Sequence, residues 1–292
     1  GLQNYYSYIS FLYISLCLKM SNKYTLIIKN AECYIDKKLI LTDIAIKNNI
    51  IAKVSENITD PADRILDAKG LTVFPGIIDT QVHFREPGDP NKETLESGST
   101  AAVLGGVTSV FEMPNTSPPT DSPERFQEKL DRAKDRMHCN YAFYFGATEA
   151  NSSSLDVTTK LEGCCGVKMF IGSSTGNLLV KDDKYIEQVI KSSPKIVSVH
   201  SEDEDMLNAR KNKIIEGDVR SHYVWRNVEC AMASTQKVAK FARTHNKRVH
   251  VLHISTKDEI DFLRDYKDIV STETTPNHLS LFAPDCYEKQ GT

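Results

Sequence analysis

Residues able to activate water or hold an anion recur at the ends of short apolar runs in this sequence. The first run, GIIDTQVHF (76–84), carries Asp79, Gln81 and His83 and leads directly into Arg85. Lys168 stands inside GVKMFIG (166–172), His200 closes IVSVH (196–200), and His253 falls near the end of RVHVLHI (248–254). Read as strands, such runs alternate their side chains between two faces, so Asp79, Gln81, His83 and Arg85 share one face and Val82 and Phe84 take the other. Polar groups gathered on one buried face are costly unless something binds them. A lysine in the middle of a buried strand must likewise be paired, neutral or modified. Imidazole is the commonest metal ligand. Histidines and a lysine brought together from successive strand ends therefore suit a hydrolytic metal.

Each residue also has a bland explanation. A strand-end histidine is often a satisfied core polar group, Lys168 could snorkel to the surface, and Asn115 follows Pro114 in ordinary turn chemistry. His250 lies an odd number of positions from His253 and is expected on the opposite face, toward covering helices. His138, His222 and His245 fall on helices or loops and are expected in solvent. What favours a site is that His83, Lys168, His200 and His253 occur together, in order, at the ends of successive runs.

The elements that must carry these residues are legible from the rhythm of the chain. Strand-length runs at 76–84, 107–113, 141–148, 166–172, 196–200, 248–254 and 269–275 alternate with helix-length amphipathic stretches at 92–105, 123–137, 182–192, 233–245 and 257–266. Ser122 before Pro123 is a good helix start, with a cap and a proline at the first helical position. Repeated strand–helix units predict a parallel sheet covered by helices. No glycine-rich first turn announces a doubly wound sheet, which leaves the β/α barrel, whose active site forms at the C-terminal strand ends. Such a barrel has eight strands; the eighth is expected beyond Thr292. Before Pro75, the segment from Lys23 to Phe74 consists of short Ile-, Val- and Thr-rich runs, as in small antiparallel sheets. The reading is thus a leader at 1–20, a small β module at 21–75 and the barrel at 76–292.

Composition narrows the function classes. Among 292 residues, Lys plus Arg is 36 and Asp plus Glu is 39, for a net charge of -3, so there is no basic excess with which to bind nucleic acid. The seven cysteines, at 17, 33, 139, 164, 165, 230 and 286, form no C-x-x-C pair, which argues for a reducing compartment and a cytoplasmic protein. The aromatic and apolar stretch 1–19 lacks the charged start of a secretory signal and is diluted by Gln3, Asn4, serines and tyrosines, so neither export nor a membrane anchor is expected.

At this point the motifs resemble those of a known family. DTQVHFREPG from Asp79, EMPNT from Glu112, GVKMFIGSSTG, VHSEDE, VLHIST and TPNHL are similar to dihydroorotases of the amidohydrolase superfamily, over about residues 23 to 292. The resemblance implies a metal-dependent (β/α)8 TIM-like barrel, here truncated before strand 8, with a small flanking β-sandwich to which Lys23–Phe74 contributes. It implies reversible zinc-dependent hydrolysis of dihydroorotate to N-carbamoyl-aspartate, a step of pyrimidine biosynthesis. Carried over residue by residue, His83, Lys168, His200 and His253 would hold one or two zinc ions, with Lys168 carboxylated. Arg85 and Asn115 would grip the substrate carboxylate, a task suited to a guanidinium fork and a directed amide donor. His278 in TPNHL would lie near the substrate.

This chain departs from the family pattern in three ways. The first-strand H-x-H reads Gln81-x-His83, and an amide oxygen is a much weaker zinc ligand than imidazole. Asn277 stands where many relatives have a second histidine. The strand-8 aspartate, metal ligand and proton shuttle in the family, is expected beyond Thr292, so the chain as it stands is expected to be inactive and none of its own residues is assigned the catalytic role. Two other readings compete: a hydantoinase- or allantoinase-type cyclic amidohydrolase, against which Arg85 and Asn115 speak, and a catalytically weak scaffold for aspartate carbamoyltransferase, which Gln81 favours. The partners implied are a small-molecule substrate and either a second copy of the chain or that carbamoyltransferase.

Overall fold

A computed structural model describes residues 23–174 and 176–290; the expected leader at 1–20 lies outside them. The chain divides into two compact units between Gly76 and Ile77.

The first unit is one five-stranded sheet, built from β1 (Tyr24–Ile35), β2 (Lys38–Lys47), β3 (Ile50–Ser55), β4 (Ala62–Asp67) and β5 (Thr72–Val73). Two-residue turns at Asp36-Lys37 and Asn48-Asn49, all at positive φ, join the first three strands as antiparallel hairpins. The expectation of an antiparallel sheet fails at β4 and β5, which both pair parallel to β1. The alternating pattern of a half-exposed strand is the same for either direction, so only the crossover decides it. That crossover is pinned by the buried Asp43, whose carboxylate accepts the backbone N–H of Ile58 and of Asn30, each at 2.9 Å. Small clusters on the two faces, Ala31–Cys33–Ile44–Ala68 and Ile27–Ala45–Ile58, supply the unit's apolar packing. Among the described residues the unit has this one sheet and no second sandwich layer.

The second unit holds a parallel sheet of seven strands in sequence order: β6 (Ile77–Val82), β7 (Val107–Glu112), β8 (Asn140–Gly146), β9 (Cys164–Phe170), β10 (Val197–His200), β11 (Val249–Val251) and β12 (Val270–Thr272). All seven expected strands are present, mostly shorter than their apolar runs. The five expected helices are also there: α1 (Leu95–Leu104), α2 (Pro123–Ala133), α3 (Asp183–Ser192), α6 (Val228–His245) and α7 (Lys257–Leu263). Shorter helices that periodicity could not show are α4 (Glu204–Ala209), α5 (Ser221–Trp225), α8 (Pro276–Ser280) and α9 (Asp285–Gln290). Ser122 caps α2 as expected, its hydroxyl accepting from the Arg125 N–H. Among the described residues no helix is long and apolar enough to cross a membrane.

Alternation sorts the strands into two faces. Val110, Phe143, Phe145, Val167, Met169, Val197, Val199, Val249 and Val251 face the helices and pack on Phe126, Ile186, Val189, Val238 and Ala242 in one core. Each such side chain contributes about 1.5–3 kcal/mol by leaving water. The opposite face carries Lys168, Ser198, His250 and Ser271 in one hydrogen-bonded row. The sheet curls far enough for Thr80 on β6 to donate its hydroxyl to Glu273, just past β12. His250 therefore faces inward with Lys168, contrary to expectation, and contacts Ser271 Oγ at 2.9 Å and Glu273 at 3.1 Å. His245 is also corrected: it is half-buried and paired with Glu187 at 2.7 Å rather than solvated. His138 and His222 are exposed, as expected.

Two ion contacts, one partly exposed and one buried, fix the segments around the strand ends. Glu86 of the REPG motif accepts Arg136 through both oxygens, at 2.7 and 3.0 Å, and the Leu95 N–H at the start of α1. Its role in this structure is architectural. Glu112, at the end of β7, is paired at 2.6 Å with Lys129 of α2, and both are almost wholly buried.

Candidate metal and substrate site

Lys168 is the centre of the inward row. Its side chain is fully buried, and its Nζ has no hydrogen-bond partner among the described residues. The amine lies 4.3 Å from the Phe170 ring centroid. Burial lowers its pKa well below that of an ordinary lysine, with Glu273 opposing the shift. The snorkelling explanation is excluded, because no part of the side chain reaches solvent. A neutral, unpartnered amine in this position fits modification to a carbamate, which would supply the missing polar contacts.

His200 and His253 converge beside it. His200 closes β10, and its Nδ1 lies 3.1 Å from His253 Nε2. In a regular strand His253 and His250 would face opposite ways. However, β11 stops at Val251, and His253 adopts a left-handed φ of 39° that turns its ring back toward His200. Such a conformation costs a non-glycine residue about 1–3 kcal/mol and is characteristic of functional sites. Two nitrogens bound to one tetrahedral zinc at about 2.0–2.1 Å stand about 3.3 Å apart. The observed 3.1 Å separation fits that arrangement.

His83 follows the end of β6. Its Nδ1 lies 2.8 Å from Asn115 Oδ1, so the ring donates there and keeps its lone pair on Nε2. Gln81 Nε2 is 3.5 Å from that Nε2, too long for a strong bond. Asn115 is thus engaged with His83, a contact the carboxylate-grip assignment did not anticipate. Arg85 is half-buried, and its guanidinium has no hydrogen bond or ion pair among the described residues. His278 is exposed on α8, its Nδ1 3.2 Å from Thr275 Oγ1. Among the described residues no three His, Cys, Asp or Glu side chains close on one point. The donor pair that the geometry brings together is His200 and His253 beside Lys168, while His83 is close enough to feel Lys168 and His200 but has its own contact to Asn115.

The imidazoles share one electrostatic state. Burial, then the charge of Arg85, lowers His83 to about 4. Burial, more than any other cause, lowers His253 to about 3. Burial also lowers His200, against the pull of Glu202. At neutral pH the rings are uncharged and able to bind a metal. In the metal-free chain, unfolding lets His83 and His253 regain their ordinary affinity for protons near pH 6.5. Stability is then complete above pH 6.5 and lost as pH falls toward 4, with a slope approaching about 2.7 kcal/mol per pH unit for two protons. Urea unfolding at pH 7, 6 and 5 checks this, and a flat profile through that range contradicts the buried neutral pair.

Sequence reasoning overlooked Glu202, Arg226 and Glu273. Glu202 lies within VHSEDE, two residues after His200, and Glu273 within the 269–275 run, just past β12, so their positions were visible although their partners were not.

The family model described as Amidohydrolase family matches residues 72–285. Among curated proteins the chain is similar to a dihydroorotase of Bacillus thuringiensis (strain Al Hakam), 32% identical over 258 residues, covering 85% of this chain and 59% of that protein. A dihydroorotase of Bacillus anthracis (strain A0248) aligns with the same figures. The chain spans about three fifths of the length of these relatives. Among solved structures it is similar to an L-hydantoinase (dihydropyrimidinase) from Arthrobacter aurescens, with TM-score 0.85 and 25% identity, over 92% of this chain and 62% of that one. A D-hydantoinase (dihydropyrimidinase) from Thermus sp. gives TM-score 0.76 and 25% identity, over 88% and 58%.

Proposed function

Since this chain belongs to the amidohydrolase family, we propose that it acts on a cyclic amide that carries a carboxylate, with dihydroorotate and N-carbamoyl-aspartate as the interconverted pair. The observation that carries the substrate class is Arg85: a half-buried guanidinium close to His83 that makes no hydrogen bond or ion pair among the described residues, with Glu93 and Glu112 near enough only to feel its charge. A guanidinium in that position binds a carboxylate through two parallel N–H···O bonds. The dihydroorotases among the similar proteins support the same choice.

Zinc bound by His200, His253 and carboxylated Lys168 would polarise the ring carbonyl and lower the pKa of water. The chain's own residues do the rest. Arg85 orients the ring by its carboxylate, and Asn115 keeps His83 in the tautomer with an outward Nε2 lone pair. The inward face of β8 and β9 limits water around the reacting bond through Tyr144 and Phe170, both buried. His278, exposed on α8, would approach the substrate from that helix. The first unit, on this reading, contributes to a flanking β-sandwich. The protein works in the cytoplasm in pyrimidine biosynthesis, with a second copy or an aspartate carbamoyltransferase as partner.

A hydantoinase-type substrate is favoured instead by the similar solved structures. Arg85 separates the two readings. Arg85→Met is expected to lose about 2–4 kcal/mol of transition-state binding for dihydroorotate, with zinc content unchanged. The rate should be measured on protein made from the whole of its reading frame. Near-normal turnover by that variant would refute the carboxylate assignment and leave the hydantoinase reading standing.

A further inference from the structure

Glu202 is not part of the proposed ligand set, yet its carboxylate touches one member of it. Glu202 Oε2 lies 2.7 Å from His200 Nε2. An ionised carboxylate only accepts hydrogen bonds, so Nε2 carries the ring proton. In the neutral ring the lone pair is then on Nδ1, the atom that faces His253 Nε2 at 3.1 Å.

Glu202 is itself held in place. Arg226 donates Nη1 to the same carboxylate oxygen and Nη2 to the Ser173 carbonyl at 2.7 Å. Ser173 is fixed in turn by Glu204, which accepts its N–H at 2.7 Å and its hydroxyl at 2.6 Å. On the other side, the loop after β9 closes over Glu202 at Gly172. A Cβ built on Gly172 would stand 2.7 Å from the Glu202 Cβ, so only glycine permits this approach. The carboxylate therefore has an anchor on one side and a wall on the other. A surface ion pair needs neither.

We propose that Glu202, anchored by Arg226, is a positioning residue that locks His200 in the Nε2–H tautomer and so aims its Nδ1 lone pair at the metal. The inference rests on the metal reading of His200 and His253. A histidine ligand commonly donates its other ring N–H to a carboxylate, and losing that partner weakens metal binding by about 10–100-fold.

The test reads the tautomer and the affinity rather than turnover. In the ¹⁵N-labelled, metal-free chain, the His200 ring should show protonation at Nε2 alone. Glu202→Ala should populate both tautomers and weaken zinc, measured by competition with a chromophoric chelator, by about 10–100-fold. Glu202→Gln can still accept through its amide oxygen and should recover much of that affinity. Arg226→Met leaves the carboxylate in place but unanchored, and should give mixed tautomers with weaker zinc even if Glu202→Ala fails to fold. A structural role alone would lower the melting temperature and leave the tautomer as it was. The proposal is overturned if a folded variant keeps the single tautomer and binds zinc within about twofold of the unaltered chain. If the unaltered chain takes up no zinc, the metal reading fails and this inference with it. Equal uptake by chain and variant defeats the inference alone.

Discussion

His200→Ala is expected to remove bound zinc and, with it, ring opening. His200 supplies one of two imidazole nitrogens that stand 3.1 Å apart, and a single remaining imidazole beside Lys168 cannot close a tetrahedral site. The metal's polarisation of the carbonyl and its effect on water are worth several kcal/mol, so the rate should fall by more than about a thousandfold. Gln81→Ala should change little, because its amide lies 3.5 Å from His83 Nε2 and makes no strong contact there. Elemental analysis of both variants, alongside hydrolysis by protein from the whole reading frame, checks the pair. Full zinc content in His200→Ala, or an equal loss in Gln81→Ala, would show that the ligand set is misassigned.

Lys129→Met is expected to destabilise the second unit by about 3–5 kcal/mol, because it leaves Glu112 buried without its cation. The two side chains are 2% and 1% exposed, so water cannot replace the lost partner. Glu112 Oε1 already lacks a hydrogen-bond partner, and burial pushes the carboxyl up to about 7 even with Lys129 in place. The pH dependence follows from that direction. A carboxyl raised on folding stabilises the folded chain fully below pH 4.5, and this contribution fades as pH rises through 7. In Lys129→Met the loss should therefore be smaller at pH 5 than at pH 8. The double variant Glu112→Leu/Lys129→Met should recover most of the stability, since apolar pairs of similar volume often replace buried ion pairs without cost. Urea unfolding at both pH values measures all three. A loss below about 1 kcal/mol for Lys129→Met would mean that the pair is open to water.

The sheet and helices of the second unit were legible because each strand is an apolar run of β-branched and aromatic residues between amphipathic stretches. Ser122-Pro123 marked its helix start correctly. The placement of His83, Lys168 and His200 on or just past strands was legible for the same reason: a polar group at a strand end, or inside a buried strand, stands out against its neighbours. His250 was misread because alternation was carried past the point where the strand exists. With β11 ending at Val251 and His253 at positive φ, the parity between 250 and 253 no longer holds. The direction of β4 and β5 was hidden because alternation does not encode it. The contacts that fix the site join distant positions, Glu202 with Arg226 and Glu112 with Lys129, and no local pattern announces such pairs.

The most direct test of the central claim is a comparison of two rings that differ by one carboxylate. Zinc-supplemented protein from the whole reading frame is given dihydroorotate and, separately, dihydrouracil, the same ring without the acid group. If Arg85 grips the carboxylate, dihydroorotate should be opened with a kcat/KM about 30–1,000-fold higher, the equivalent of about 2–4 kcal/mol, and Arg85→Met should erase most of that preference. Equal rates for the two rings, or faster opening of dihydrouracil, would contradict the account.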